Sequence, residues 1–369
     1  MLFTIGKSQI LRELQLIQGV IEKKHTIPIL SNLLIETGTD HIKMLATDLE
    51  VGLRCKSEAT VNREGALTIS AKKLYEIVRA LPESDIKFEI IDHNWMSIEC
   101  ERSQFKIVGL PKEDFPSLPE FDFGRGISIP ADLLKEMIHK TSIAISEEDT
   151  RYALNGALFI IHGKQISMVA TDAHRLAWFK TEGEKELSGE EIRVIIPKKT
   201  VHQIRSIIDT GAKEVIFGLS ENHLFFKIEE NILISRIIEG QFPSYEKVIP
   251  VDNDKIVLFP TREFADAIKR VALISNERSR AIKFYINPGK VEVRSSNPEL
   301  GEACEVLYVS YQGEKVNVGF NAQYILDFLN VVEDKEVKFA MKDETSQGLL
   351  LLVEKHPYEY TYVVMPMRI

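Results

Sequence analysis

The strongest constraint on this 369-residue chain is an internal repeat with a period of about 124 residues. Residues 47–50 read Thr-Asp-Leu-Glu, and residues 171–176 read Thr-Asp-Ala-His-Arg-Leu, 124 positions later. The same offset relates the apolar runs around Leu34 and Leu158. Several related segments at one fixed offset indicate that a whole structural unit is duplicated.

A third copy follows the second. Residues 259–262 resemble residues 129–132, and the pair Ser296-Asn297 falls 125 positions after Thr171-Asp172, with the acid replaced by an amide. Copies of about 125 residues have the usual size of a domain, each large enough for its own core. The sequence therefore predicts three degenerate domains, over residues 1–123, 127–250 and 254–369.

Each copy has the order strand, helix, strands, helix, strands. Apolar side chains recur at helical spacing in two segments per copy, and alternating or apolar runs of strand length fill the rest. This pattern predicts an α+β fold in which two helices pack on an antiparallel sheet. The predicted helices cover residues 10–21, 71–81, 134–141, 198–208, 262–274 and 321–332.

Composition is that of a globular protein, with 44% apolar and 27% charged residues. No apolar run approaches the roughly 20 residues that span a bilayer, and the first residues lack the pattern of a signal peptide. Cys55, Cys100 and Cys304 show no metal-ligand spacing, so we expect structural cysteines. We predict a cytoplasmic protein without membrane attachment, bound metal or cofactor.

The net charge of −9 argues against a simple basic nucleic-acid binder, although it does not exclude one. Local potential, rather than net charge, governs phosphate binding, and an acidic protein can gather its cations on one face. The second helix in each of the first two copies has Lys and Arg opposite its apolar side. A solvated helix face is the simpler explanation for either helix alone.

His174, next to Asp172 and Arg175, raises the alternative of acid–base catalysis by a three-domain hydrolase. No nucleophile, second carboxylate or phosphate-binding glycine loop stands at a supporting distance. We instead expect Asp172 and its counterpart Asp48 to accept backbone hydrogen bonds in a turn. An enzyme would lose turnover in the variant His174→Ala, whereas a binding protein would lose partner affinity.

Four segments carry a resemblance to a known family: residues 171–177 (Thr-Asp-Ala-His-Arg-Leu-Ala), 240–245 (Gly-Gln-Phe-Pro-Ser-Tyr), 273–277 (Leu-Ile-Ser-Asn-Glu) and 364–368 (Val-Met-Pro-Met-Arg). Over its whole length the chain resembles the bacterial sliding clamp, the beta subunit of the replicative DNA polymerase III holoenzyme. The resemblance implies three clamp domains, half of a six-domain ring closed by a head-to-tail homodimer. It also implies a non-catalytic processivity factor that encircles double-stranded DNA without sequence preference.

The implied protein partners are the catalytic subunit of the replicative polymerase, the clamp loader and other proteins with clamp-binding motifs. The implied DNA-binding residues are Lys24, Lys72, Lys73, Arg79, Tyr152, Lys198, Lys199 and Arg205. The implied dimer interface contains Lys73, Arg102, Phe105, Ile107, Leu273, Ile274, Glu299 and Glu302. A monomeric adaptor of the same fold that does not bind DNA is a further alternative.

The resemblance also implies an outer pocket for linear peptides. Its residues are Leu154, Thr171, Ala173, His174, Arg175, Leu176, Pro243, Lys247, Val248, Val363, Val364, Met365, Pro366, Met367 and Arg368. The chain departs from the family at Ala173, where glycine is frequent, and at Ala153, where many members have an aromatic residue. It also departs at Lys247 and Ile369, which replace the usual arginine and leucine.

Overall fold

The computed structural model describes residues 1–21, 27–147 and 149–368. The predicted DNA contact Lys24 and the chain end Ile369 lie outside the described residues. In the described part, the elements follow the order that the repeat predicts. Each copy has two α-helices, and each of these helices directly follows a strand.

Each predicted helix is present, with ends shifted by a few residues. The helices are α1 (Lys7–Gln18), α2 (Ala71–Ala80), α3 (Ala131–Thr141), α4 (Lys198–Ile208), α5 (Thr261–Ala272) and α6 (Ala322–Val331). The start of α2 follows from local chemistry, because the Ser70 hydroxyl accepts a hydrogen bond from the Lys73 N–H. Asn321 caps α6 in the same way, through the Gln323 N–H at 2.8 Å.

Strands occupy most of the remaining chain. The first copy contains β1 (Leu2–Gly6), β2 (Asn32–Thr37), β3 (His41–Thr47), β4 (Val51–Glu58), β5 (Thr60–Arg63), β6 (Gly65–Ser70), β7 (Asp85–Asp92), β8 (Trp95–Cys100) and β9 (Ser103–Leu110). The second contains β10 (Ile127–Pro130), β11 (Gly156–Gly163), β12 (Gln165–Thr171), β13 (Arg175–Glu182), β14 (Ser188–Pro197), β15 (Glu214–Ser220), β16 (His223–Ile228) and β17 (Asn231–Arg236). The third contains β18 (Lys255–Pro260), β19 (Ala281–Asn287), β20 (Lys290–Asn297), β21 (Gly301–Tyr308), β22 (Val316–Asn321), β23 (Glu336–Met341), β24 (Gly348–Leu352) and β25 (Tyr358–Val364).

The chain divides into two compact units that do not follow the sequence repeat. One unit contains residues 1–135 and 199–237, and the other contains residues 136–198 and 238–369. The middle copy therefore contributes β10 and β15–β17 to the first unit and β11–β14 to the second. Sheet continuity across neighbouring copies explains this division.

In the first unit, the described strands form one antiparallel sheet in the order β10-β15-β16-β17-β4-β3-β2-β6-β9-β8-β7-β1-β5. Copies one and two join within it, because β17 pairs with β4 in a register that places Ile234 opposite Gly52. The core beneath contains the stacked rings of Phe3 and Phe88, with centroids 4.8 Å apart.

In the second unit, the described strands form two antiparallel sheets. Their orders are β14-β11-β12-β13-β25-β24-β23-β18 and β21-β20-β19-β22. Copies two and three join in the larger sheet, where β13 pairs with β25 and Leu176 lies opposite Val363. This junction brings the chain end beside the second Thr-Asp segment, and the candidate functional site is built there.

Candidate functional site

A tight turn follows β12 and is held by Thr171 and Asp172. The Thr171 hydroxyl donates to the Arg175 carbonyl at 2.6 Å and accepts from the Ala173 N–H at 3.1 Å. Oδ1 of Asp172 accepts from the N–H groups of His174 and Arg175, both at 2.9 Å. A threonine and an aspartate in sequence thus satisfy the backbone of the whole turn.

The same turn occurs in the first copy. Oδ1 of Asp48 accepts from the N–H groups of Glu50 and Val51 at 2.9 and 2.6 Å. In the third copy Asn297 keeps one of these bonds, from the Glu299 N–H at 2.9 Å. The prediction that Asp48 and Asp172 accept backbone hydrogen bonds is confirmed, and this role explains why the repeat retains an Asx residue.

The turn requires a left-handed backbone at its third position. Ala173 has φ of 71° and its counterpart Leu49 has φ of 77°. A side chain with a Cβ atom is strained in this region, and glycine is not. Glycine, the residue that the family resemblance leads us to expect at position 173, would fit this backbone without strain.

The chain end is attached to this turn. Just after β25, the Met365 N–H donates to the His174 carbonyl at 2.8 Å. The Met367 N–H donates to the Gly319 carbonyl at 2.8 Å, which holds the last described residues against β22. The apolar C-terminal segment is thus docked, and Met365 becomes part of a wall.

An apolar cleft of about 180 Å³ opens at this junction, between β13, the chain end and the loop after β17. Nine predicted pocket residues line it: Leu154, Thr171, Ala173, Arg175, Leu176, Pro243, Val248, Val363 and Met365. Segments separated by up to 214 residues (151 to 365) converge on it. Such a cleft, with few polar groups, is the usual form of a small ligand site.

Six other residues predicted for the pocket lie outside this lining. They are His174, Lys247, Val364, Pro366, Met367 and Arg368. The His174 ring stacks on Tyr324, with centroids 6.4 Å apart, and Val364 is buried in β25. His174 and Val364 therefore support the surrounding structure, through a ring contact and through core packing.

Two lining residues, Arg151 and Tyr245, were missed by the sequence reasoning. Tyr245 ends the segment Gly-Gln-Phe-Pro-Ser-Tyr, so the motif itself was a usable signal. Its ring packs edge-on against Trp178, and burial, with a smaller effect of Glu246, raises its pKa to about 12. Arg151 donates to Asp149 from both Nε and Nη2, at 2.9 and 2.7 Å.

Arg175 forms one wall of the cleft, and its side chain is only 12% exposed. Nε donates to Oδ2 of Asp172 at 3.1 Å, while Nη1 donates to Asp327 and, at 3.5 Å, to the Tyr362 hydroxyl. The guanidinium also lies 4.5 Å from the centre of the Tyr324 ring. Burial alone would lower the pKa of Arg175, but Tyr362, Asp327 and Asp172 raise it above its ordinary value.

The first copy has a counterpart of this cleft that is filled. Gly52 stands 124 positions before Leu176, and Leu118 stands 127 positions before Tyr245. The Leu118 side chain occupies the space over Gly52, where an added Cβ would lie 2.9 Å from Cδ2 of Leu118. Leu118 packs there against the small buried cluster of Leu34, Leu45 and Phe115.

The predicted DNA-binding residues differ in their surroundings. Lys72 and Arg79 are exposed on α2, and Tyr152 is 75% exposed. Lys73 pairs with Glu76 at 2.7 Å and Lys198 with the exposed Glu147 at 3.5 Å. Arg205 lies in the last turn of α4.

Lys199 differs from these residues. Its ammonium donates to the carboxylate of Asp48 and to the Val20 carbonyl, both within the protein. These bonds hold the start of α4 against the first Thr-Asp turn. We therefore interpret Lys199 as a structural cation and no longer as a candidate phosphate contact.

The residues predicted for the dimer interface lie on or just before two strands, directly after α5, and, for Lys73, on α2. Phe105 and Ile107 belong to β9, and Glu302 belongs to β21. Arg102 and Glu299 precede these strands and are exposed. Leu273, directly after α5, is 77% exposed.

The described residues were searched for two further features, a metal site and a membrane-spanning helix. Among residues 1–21, 27–147 and 149–368, no group of His, Cys, Asp and Glu side chains is arranged to hold a metal ion. No helix within the same ranges is long and apolar enough to span a membrane.

Comparison with known proteins gives one consistent result. The chain matches the DNA polymerase III beta subunit family in all three parts: the N-terminal domain over residues 1–119, the central domain over 128–244 and the C-terminal domain over 246–368. The chain belongs to this family. The beta sliding clamps of Pseudomonas aeruginosa and Caulobacter vibrioides are 34% and 35% identical to it, with both partners covered over 100% of their length.

Solved structures of beta clamps agree with the sequence relatives. The Bartonella birtlesii clamp, solved bound to griselimycin, has a TM-score of 0.95 and 34% identity to this chain. The Bacillus subtilis clamp has a TM-score of 0.94 at 26% identity. Both comparisons cover 100% of this chain.

Membership in the beta clamp family confirms the predicted fold of three tandem clamp domains. Sliding clamps are non-catalytic processivity factors of DNA replication, and the chain is such a factor. The hydrolase alternative is therefore wrong. The geometry agrees, because both carboxylate oxygens of Asp172 are engaged by backbone N–H groups and by Arg175.

Proposed function

We propose that this beta clamp forms a homodimeric ring around duplex DNA and holds partner proteins through short peptides bound in the apolar cleft. The single observation that carries the proposal is the cleft itself. It is built by the junction of copies two and three together with Met365. The proposed partners are the replicative polymerase, the clamp loader and other proteins with clamp-binding motifs.

The chemistry of the cleft selects the ligand. Its floor and walls are mainly Leu, Val, Pro and Met side chains, which favour leucine and phenylalanine anchors of a linear motif. Thr171 and Arg175 make bonds inside the protein, so few polar groups remain for a ligand. Apolar burial should therefore dominate the binding energy, at about 25 cal/mol for each Å² buried.

A peptide titration tests the cleft. A labelled peptide with leucine and phenylalanine anchors should bind the wild type, measured by fluorescence anisotropy. A variant that ends at Val364 lacks the wall formed by Met365. It should lose peptide binding and should remain a dimer, as measured by light scattering. Unchanged affinity would place the peptide site elsewhere.

The dimer proposal is supported by two open strand edges. β9 pairs with β8 along its length but with β6 only through Gly109 and Leu110, and β21 pairs with β20 alone among the described strands. Open edges invite pairing with another chain. In the proposed dimer, the cations Lys73 and Arg102 of one chain meet Glu299 and Glu302 of the other, and this pairing of charges should fix register more than affinity.

We propose DNA binding by Lys72, Arg79, Tyr152, Lys198 and Arg205, with Lys24 and Lys73 as further contacts. Binding should be weak and independent of base sequence, because the expected contacts are to phosphates. Each phosphate that is neutralised should contribute about −0.9 to the slope of log affinity against log salt concentration. Tight or base-specific binding to linear duplex at physiological salt would contradict the ring proposal.

A monomeric adaptor of the same fold is the second candidate, and topology separates it from a ring. A ring that has been loaded onto nicked circular DNA should stay on the circle at high salt and leave after linearisation. An adaptor would show no difference between the two DNA forms. We also propose that the three domains span residues 1–123, 127–250 and 254–369 and that the protein is cytoplasmic.

A further inference from the structure

Arg175 is the one cation whose side chain is both buried and part of the cleft lining in the described structure. A buried guanidinium is costly unless acceptors surround it. Asp172 supplies one acceptor from the same turn, only three residues away. This contact holds Nε, at one edge of the guanidinium, and leaves Nη1 for a second acceptor.

Asp327, on α6 of the third copy, supplies the distant acceptor. Its Oδ2 bonds to Nη1 of Arg175, 152 residues away in the chain. Its other oxygen accepts from Nε2 of Gln323 at 2.7 Å, and Gln323 in turn accepts from Arg280. Both oxygens of the Asp327 carboxylate are thus held, and its orientation is set by one turn of α6.

Two tyrosines complete the enclosure of the guanidinium. The Tyr324 ring lies under it, and the Tyr362 hydroxyl, which donates to the Tyr324 carbonyl at 2.8 Å, accepts from Nη1. The planar fork of arginine suits this fixed geometry. Asp327 and both tyrosines belong to the third copy. The third copy therefore orients Arg175, which belongs to the second copy and lines the cleft.

We propose that Asp327 is a positioning residue of the peptide cleft: it holds the Arg175 side chain along the wall and so keeps the cleft open for an apolar anchor. This inference rests on the proposed peptide-binding function. Without the Asp327 charge, Arg175 gains freedom to turn into the cleft or toward solvent. A ligand must then displace a mobile, hydrated cation, which lowers affinity without removing any direct ligand contact.

The test uses the full-length protein, the labelled leucine–phenylalanine peptide and four variants. Asp327→Asn keeps the shape and removes the charge, Arg175→Gln removes the cation, and a double variant combines them. Asp266→Asn on α5 is the matched control. Like Asp327, Asp266 is a helical aspartate that pairs with a cation, in this case Lys269, but it lies outside the cleft. We expect Asp327→Asn to weaken peptide binding about tenfold and the control to have no effect.

The double variant distinguishes positioning from general destabilisation. If Asp327 acts through Arg175, the double variant should bind no more weakly than Arg175→Gln alone. The Nη1–H signal of Arg175 in the NMR spectrum should also exchange faster with water in Asp327→Asn, because Nη1 is the group that donates to Asp327. Additive losses, or affinity of Asp327→Asn within twofold of the wild type, would overturn the inference.

Failure of this inference and failure of the proposed function give different results. If the wild type does not bind the peptide at all, the proposed peptide function is wrong. If the wild type binds and Asp327→Asn binds equally well, only the positioning role is wrong.

Discussion

Lys199 is bonded to Asp48, so a lysine of the second copy neutralises the turn aspartate of the first. The Asp48 side chain is 4% exposed and that of Lys199 is 31% exposed. A charge pair in this position stabilises the junction of the two copies, and it matches the Lys199 charge within the protein.

We therefore predict that Lys199→Gln lowers the free energy of unfolding by about 1–3 kcal/mol, because Asp48 loses its ionic partner while it stays buried. Urea denaturation measures this change. Lys72→Gln is the matched control: it is exposed, and it should weaken DNA binding with little change in stability. A DNA-binding defect without destabilisation in Lys199→Gln would contradict the structural role.

Ala173→Gly should stabilise the protein by about 1 kcal/mol, since it removes the strain of a Cβ atom in the left-handed region. Leu49→Gly at the equivalent turn should change stability in the same direction. Ala80→Gly, at the exposed end of α2, is the control and should destabilise, because glycine is a poor helix former. Thermal unfolding of the three variants provides the test, and a loss of stability in Ala173→Gly would refute it.

Asp149 should titrate unusually low, because hydrogen bonds from Arg151 lower its pKa to about 2. A depressed carboxyl pKa stabilises the folded loop above the unfolded value of about 3.9, and this contribution is lost as the pH falls through about 2. The loop beside the cleft should therefore be insensitive to pH between about 5 and 8. NMR titration of the carboxyl carbon measures the midpoint, and Arg151→Gln should move it up toward the ordinary value.

Leu273→Glu should convert the dimer to a monomer without unfolding the chain. The side chain is largely exposed in the single chain, so its replacement costs little there, whereas a charge in an apolar interface is unfavourable. Light scattering should report about twice 42.0 kDa for the wild type and 42.0 kDa for the variant. Leu219→Glu is the control, because this leucine of β15 is also exposed (37%) and is far in sequence from every residue predicted for the interface. A monomeric wild type would contradict the dimer proposal itself.

The sequence predicted the elements of the fold well where periodicity is strong. The α2 and α4 segments have clear apolar sides, and their observed bounds differ from the prediction by at most one residue (71–81 against Ala71–Ala80, and 198–208 against Lys198–Ile208). The first helix was placed less well: it begins at Lys7 and ends at Gln18, so Ile21 lies beyond it. Helix ends depend on local caps, which apolar spacing does not encode.

Contacts between distant segments were harder to predict. Lys199 and Lys198 are adjacent and identical in type, yet one is bonded to the buried Asp48 and the other to the exposed Glu147. The two lysines differ only in the groups that surround them in the folded chain, which the sequence pattern does not show. The role of Asp327 was equally hidden, since its partner Arg175 is 152 residues away and belongs to another copy.

Leu118, whose side chain lies over Gly52, limits the number of peptide clefts that the repeated domains can form. The turn and the strand junction that form the cleft occur in two of the three copies. In the first copy, however, the Leu118 side chain fills the space that a bound peptide would need. In the proposed homodimer, the cleft beside Met365 is present once in each chain and therefore twice in the assembly. We therefore expect such a dimer to bind at most two partner peptides through this cleft at one time.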